Sequence, residues 1–167
     1  MRIVLQALRS LTMTFWVGGI AFFAFVLAPI AFGRLPSRHL AGIVVGGTLI
    51  ALHRIGLVCG VLFLVATAVL QFQMKEEDDF PKLVQMCLVL VMLMATAYSQ
   101  FHILPVMEKD RQLVAGDIYG APKDNPGRMD FEKQHALSEK VEGFVLFCGV
   151  GVVLLMYHQP SARLTAM

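Results

Sequence analysis

Residues 9–34 read RSLTMTFWVGGIAFFAFVLAPIAFGR: an arginine, an apolar run over 11–32 that contains no charge, then a second arginine. A helix crosses a hydrocarbon core of about 30 Å with roughly 20 apolar residues. The run is therefore long enough to span, and Arg9 and Arg34 fence its ends. Its apolar core is too long for a cleaved signal, and no small-residue cleavage site follows it. Three further stretches have the same form, at about 55–72, 83–104 and 141–157. Consecutive spans alternate in direction, so the chain reads as an all-α integral membrane four-helix bundle, up-down-up-down, with 1–167 as a single transmembrane domain. The surrounding composition agrees. It is 57% hydrophobic and 16% charged, with a mean hydropathy of +0.68, whereas soluble domains carry about 25% charged residues.

The helix ends carry local signals. Ser37 is placed to cap a helix opening at residue 38, and Asp79 to cap the third span, with Pro81 in its first turn. Asn125-Pro126 reads as a cap followed by proline, from which one helix runs through Phe131, His135 and Ser138 into the last span. Pro105 predicts a kink near the exit of the third. A polar loop covers about 106–127. Segment 40–52 is apolar but too short to cross, so about 38–53 is either a re-entrant or interfacial helix or an extension of the second span. Glycines 42, 46, 47, 56 and 60 give it small-xxx-small spacing on both sides of Arg54, a pattern that permits close helix packing. No internal repeat stands out.

A net charge of +2 excludes a nucleic-acid-binding surface. Cys59, Cys87 and Cys148 are too scattered for a disulfide framework or a C-x-x-C site, and read as small hydrophobes facing other helices. The ten methionines read as core. Phosphate loops and hydrolase or zinc-protease motifs are absent, so an enzyme is not expected. With both termini on one side, Arg2, Arg9, Lys75, Lys82 and Arg163 lie there and nine basic residues lie on the other. The positive-inside rule makes the long-loop side, 106–138, cytoplasmic, in the bacterial inner membrane if the source is prokaryotic.

Counting the 1.5 Å rise along the spans brings titratable groups of three helices to one depth on the long-loop side. His53 and Arg54 arrive from the second span, Tyr98 and His102 from the third, and His135, Ser138, Glu139 and Glu142 from the fourth. Ionisable groups at membrane depth are costly and pair with one another or serve function. Glu142 lies a turn inside an apolar run, and its available partners are Arg54, His53 or His102. A structural layer of Arg54, Tyr98, Ser138 and Glu139 around an ion pair is the plainest expectation, with no cofactor. The alternatives are a transition-metal site of His53, His102, His135 and Glu142, or haem b held by His53 and His102.

Thr14-Phe15-Trp16-Val17-Gly18-Gly19, followed by Ala28-Pro29 and Phe32, resembles the opening of the bacterial family labelled domain of unknown function 4149, whose eukaryotic relatives include transmembrane protein 205. Arg34-Leu35-Pro36-Ser37-Arg38-His39 with Gly42 is similar to the segment after the first span in those relatives. Arg128, Phe131, His135 and Ser138 look like the closing motif R-x-x-F-x-x-x-H-x-x-S. Where the family carries Asn near Val141 or Glu142, this sequence places an acid. The resemblance implies a four-span membrane protein, and the eukaryotic relative's association with platinum-drug tolerance implies metal handling or trafficking. The Trp16–Gly19 opening is also similar to copper-resistance and haem-pathway membrane proteins. The expected function is a non-enzymatic protein of the lipid bilayer, either an accessory subunit of other membrane subunits or a small transport or metal-tolerance factor. The alternative is a haem b- or metal-binding redox protein.

Overall fold

The computed structural model describes residues 1–73, 80–114 and 116–157. Four long helices account for nearly all of them: α1 (Arg2–Arg34), α2 (Arg38–Gln73), α3 (Phe80–Leu113) and α4 (Pro126–Tyr157). Each is long and apolar enough to cross a membrane. They pack α1 on α2, α2 on α3, α3 on α4 and α4 on α1, closing a bundle. We call the end at residues 34–38 and 113–126 the loop end, and the opposite one the terminal end.

Segment 40–52 belongs to α2, an uninterrupted helix of 36 residues. At 1.5 Å per residue it measures about 54 Å, well beyond the hydrocarbon thickness. The extension is therefore correct and the re-entrant helix is not, because nothing after the Ser37 cap breaks the helix. The Leu40 N–H donates to Ser37 Oγ at 3.2 Å. The α3 helix likewise projects to Leu113, which shortens the expected loop to 114–125. Gly116 follows its end at φ +89°, a left-handed conformation favoured by glycine, and its N–H bonds back to Arg111 O at 2.9 Å. Asn125 Oδ1 accepts from Gly127 N–H at 2.9 Å, as its position before Pro126 predicts. Asn125→Ala should cost about 1 kcal/mol, measured by denaturation in mixed micelles. The cap expected of Asp79 lies outside the described residues.

The α1 and α3 helices each contain a five-residue π-helical turn, Phe23–Leu27 and Ser99–Ile103, followed by Ala28-Pro29 and Leu104-Pro105. Proline lacks an N–H, and a widened turn accommodates the missing bond. The irregularity expected at Pro105 thus takes the form of a π-turn before it.

The main core joins Met13, Trp16, Phe63, Val89, Met92 and Val152 from all four helices. A smaller one at the loop end packs Ile118 of the loop with Ile103, Met107 and Phe131. Trp16 fits because Gly56 and Gly60 have no side chains; a Cβ on Gly60 would stand 2.6 Å from the indole. The glycines on the other side of Arg54 behave differently. Gly46 and Gly47 meet nothing within 4 Å, so of these glycines it is Gly56 and Gly60, beyond Arg54, that admit a close neighbour. Cys59 and Cys148 are buried as expected, but Cys87 is exposed on the outer face of α3. Large apolar residues such as Phe25, Phe101 and Phe147 also point outward, as a lipid-facing surface requires.

Candidate functional site

His53 sits inside α2 with 2% of its surface exposed, and Glu142 inside α4 with 8%. His53 Nε2 lies 2.6 Å from Glu142 Oε1, and Nδ1 lies 3.2 Å from Oε1 of Gln100 in the α3 π-turn. Three helices are thus tied by one imidazole. With the Gln100 carbonyl facing Nδ1, that nitrogen donates, and a single proton lies between Nε2 and Glu142 Oε1, carried by either atom. Turning the amide lets its NH2 donate to Nδ1, and the pair is complete with one proton fewer. The second carboxylate oxygen, Oε2 of Glu142, is buried and has no hydrogen-bond partner.

Glu142 borders a chamber of about 440 Å³ whose lining extends to the loop end, at Arg38, Gly116 and Tyr119. Its walls are largely apolar, with Phe23, Pro29, Leu49, Met107 and Leu146 among them. Gly42, Gly46 and Gly143 also line it and leave space that larger side chains would fill. Ser138 and His135 line it at successive turns from Glu142 along α4, and Arg38, His39 and Arg111 bring basic groups to it. Two guanidinium groups lie over aromatic rings, Arg38 over Tyr119 and Arg111 over Phe131, each at 5.7 Å.

Of the polar-layer residues singled out from the sequence, His53 and Glu142 meet across two helices; Tyr98 with His102 and His135 with Glu139 meet only within one helix. His135 lines the chamber, stacks on Phe131 at 6.1 Å and lies 3.3 Å from Glu139. Ser138 is buried beside it, while Glu139 is exposed. His102 and Tyr98 are both exposed and stack on each other at 5.1 Å. Arg54 is exposed, so the partner of Glu142 is His53 and not Arg54. Among the described residues no three His, Cys, Asp or Glu gather to hold a metal ion. His53 and Glu142 could supply two ligands. The outward His102 does not fit with His53 as an axial pair for haem, since both nitrogens of His53 are engaged. His102→Ala should change stability by no more than about 0.5 kcal/mol, the usual effect at an exposed position, in the same micelle assay.

The sequence reading missed Gln100, the third member of the triad, and the basic residues at the chamber. The motif ending at Ser138 also acquires roles. Arg128 donates to Ala121 O at 2.7 Å and pairs with Glu132 at 2.9 Å, tying the loop to α4. Phe131 closes the smaller core, and His135 and Ser138 face the chamber.

The bundle of four long apolar helices, with a histidine–carboxylate pair buried in it, fits a multi-pass, all-helical membrane protein. Residues 11–112 match the family model described as domain of unknown function (DUF4149), and the chain belongs to that family. The match contains His53 and Gln100 and ends before His135 and Glu142. No curated protein and no solved structure matches the chain.

Proposed function

We propose that this is a non-enzymatic membrane protein of the small-transport type. It takes into its chamber an apolar molecule bearing one cationic or hydrogen-bond-donating group, with Glu142 as the recognition point. The observation that carries this reading is the half-satisfied carboxylate of Glu142 bordering an apolar chamber. A buried charge is retained at such cost mostly where it pairs or binds. One oxygen pairs with His53, and the other is available to a ligand after a small side-chain movement. Apolar walls and the lack of a third ligand among the described residues favour a lipophilic cation over a bare metal ion.

Tetraphenylphosphonium is a suitable probe, measured by equilibrium dialysis against the protein in neutral-lipid nanodiscs. Glu142→Gln should weaken binding at least about tenfold, the equivalent of one lost charge-assisted contact, while His102→Ala leaves it unchanged. Absent binding, or equal binding by Glu142→Gln, would reject the reading. An accessory-subunit role instead predicts a larger complex on mild detergent extraction. The loop end is proposed as cytoplasmic from its excess of basic residues. A cysteine introduced at exposed Lys123 should then escape an impermeant maleimide added outside intact cells.

A further inference from the structure

The two halves of the chain repeat each other. Between α1 and α3 the offset is 76 residues, which carries the π-turn Phe23–Leu27 onto Ser99–Ile103 and Pro29 onto Pro105. It also carries buried Arg9, Met13, Trp16, Ile20 and Ala31 onto Gln85, Val89, Met92, Thr96 and Met107, which are buried too. Between α2 and α4 the offset is 89. It carries Leu49, His53, Gly56, Cys59, Gly60 and Phe63 onto Ser138, Glu142, Val145, Cys148, Gly149 and Val152, again all buried. Leu57, Cys59, Gly60 and Val61 recur in kind as Leu146, Cys148, Gly149 and Val150. The offsets differ because the connection after α3 is longer than that after α1, so no single period reveals the repeat.

Equivalent residues also touch. Arg9 Nη2 donates to Gln85 Oε1, and His53 Nε2 meets Glu142 Oε1. Equivalent groups of two repeats meet where the axis relating them passes. The α1 and α3 helices run the same way, as do α2 and α4, so this pseudo-two-fold axis runs along the bundle. From the loop end it passes the chamber, the His53–Glu142 pair, a packed core containing Trp16 and Phe63, and then Arg9–Gln85. Arg9 is 4% exposed, stacks over Phe63 at 5.0 Å, and leaves its buried Nε without a hydrogen-bond partner. Among the described residues its hydrogen-bond partner is Gln85, which is neutral, so parting these two side chains breaks no ion pair between them and exposes a cation ready for hydration.

In secondary transporters, helical repeats related by an axis along the membrane normal rock against each other around a site at their interface. We propose that Arg9–Gln85 is the closed gate of the terminal end. Hairpins 1–73 and 80–157 rock about the His53–Glu142 pair to a second state in which this gate is parted and the chamber shut. The gate rests on the transport reading above; the repeat itself does not.

Spin-label distances test it in nanodiscs, in a background with the three cysteines replaced by alanine. One pair, at exposed Ile3 and Phe80, reports the terminal end, and another, at exposed Leu35 and Leu113, reports the loop end. Arg9→Ala should add a population that is longer at the terminal end and shorter at the loop end. The ratio of populations should shift about tenfold or more, the scale of one lost hydrogen bond to a charged group. Should that variant not fold, Gln85→Ala gives the same readout. Gln85→Glu, which makes the contact an ion pair, should keep one population even with saturating tetraphenylphosphonium. Distances unchanged in both alanine variants, or lengthened at both ends together, would overturn the gate. Failure of Glu142 to bind the probe would remove the ligand reading and leave the reciprocal distance change standing.

Discussion

Glu142→Ala should lower the stability of the protein by about 3 kcal/mol, and His53→Ala by a similar amount, in reversible unfolding from mixed micelles. Each substitution leaves the other member of a 2.6 Å buried pair without its partner. The double alanine variant should cost far less than the sum, because the second substitution removes the orphan created by the first. Replacing both by leucine separates stability from function. A buried ion pair exchanged for apolar residues is often neutral or stabilising, so His53→Leu/Glu142→Leu should unfold within about 1 kcal/mol of the parent or above it. The same variant should lose tetraphenylphosphonium binding altogether. Additive single costs would mean that the two side chains act independently and that the pair is not what joins α2 to α4.

Trp16→Ala should be as damaging, at about 3–5 kcal/mol, because the indole is 1% exposed and fills the centre of the main core. The opposing change, Gly56→Ala, should cost about 1–3 kcal/mol, since its Cβ would clash with the Nε1 edge of the Trp16 indole. Combined, the two should cost less than their sum, because the new methyl occupies space the indole has vacated. The comparison checks that the glycines of α2 beyond Arg54 are there to admit Trp16. The glycines nearer the loop end answer to a different requirement. Gly46→Ala meets nothing within 4 Å, so it should be tolerated in stability while narrowing the chamber that the residue lines.

Much of this architecture was legible in the letters. Length and continuity of apolar residues decide how many helices cross a bilayer, because an unpaired backbone in hydrocarbon is prohibitive and only a helix satisfies it within one segment. The same arithmetic gave the shared height of His53 and Glu142, since rise along a helix is fixed. It failed for His102 and Arg54 because rise says nothing about azimuth. Arg54 adjoins His53 yet points outward, and His102 is turned out while Gln100, two residues earlier, turns in.

Arg9 shows the same limit from another side. Its position at the end of an apolar run marks it as a fence, and only packing reveals that it is swallowed between helices and bonded to Gln85. Composition and hydrophobic run length thus determined four crossings and the depth of each polar group, because both depend on distance along one chain. Which groups face one another, which residues line the chamber and how the two hairpins repeat were decided by tertiary structure. Those depend on the rotation of each helix about its axis, which is set by neighbours such as Trp16 against Gly56 and by the π-turns ahead of Pro29 and Pro105.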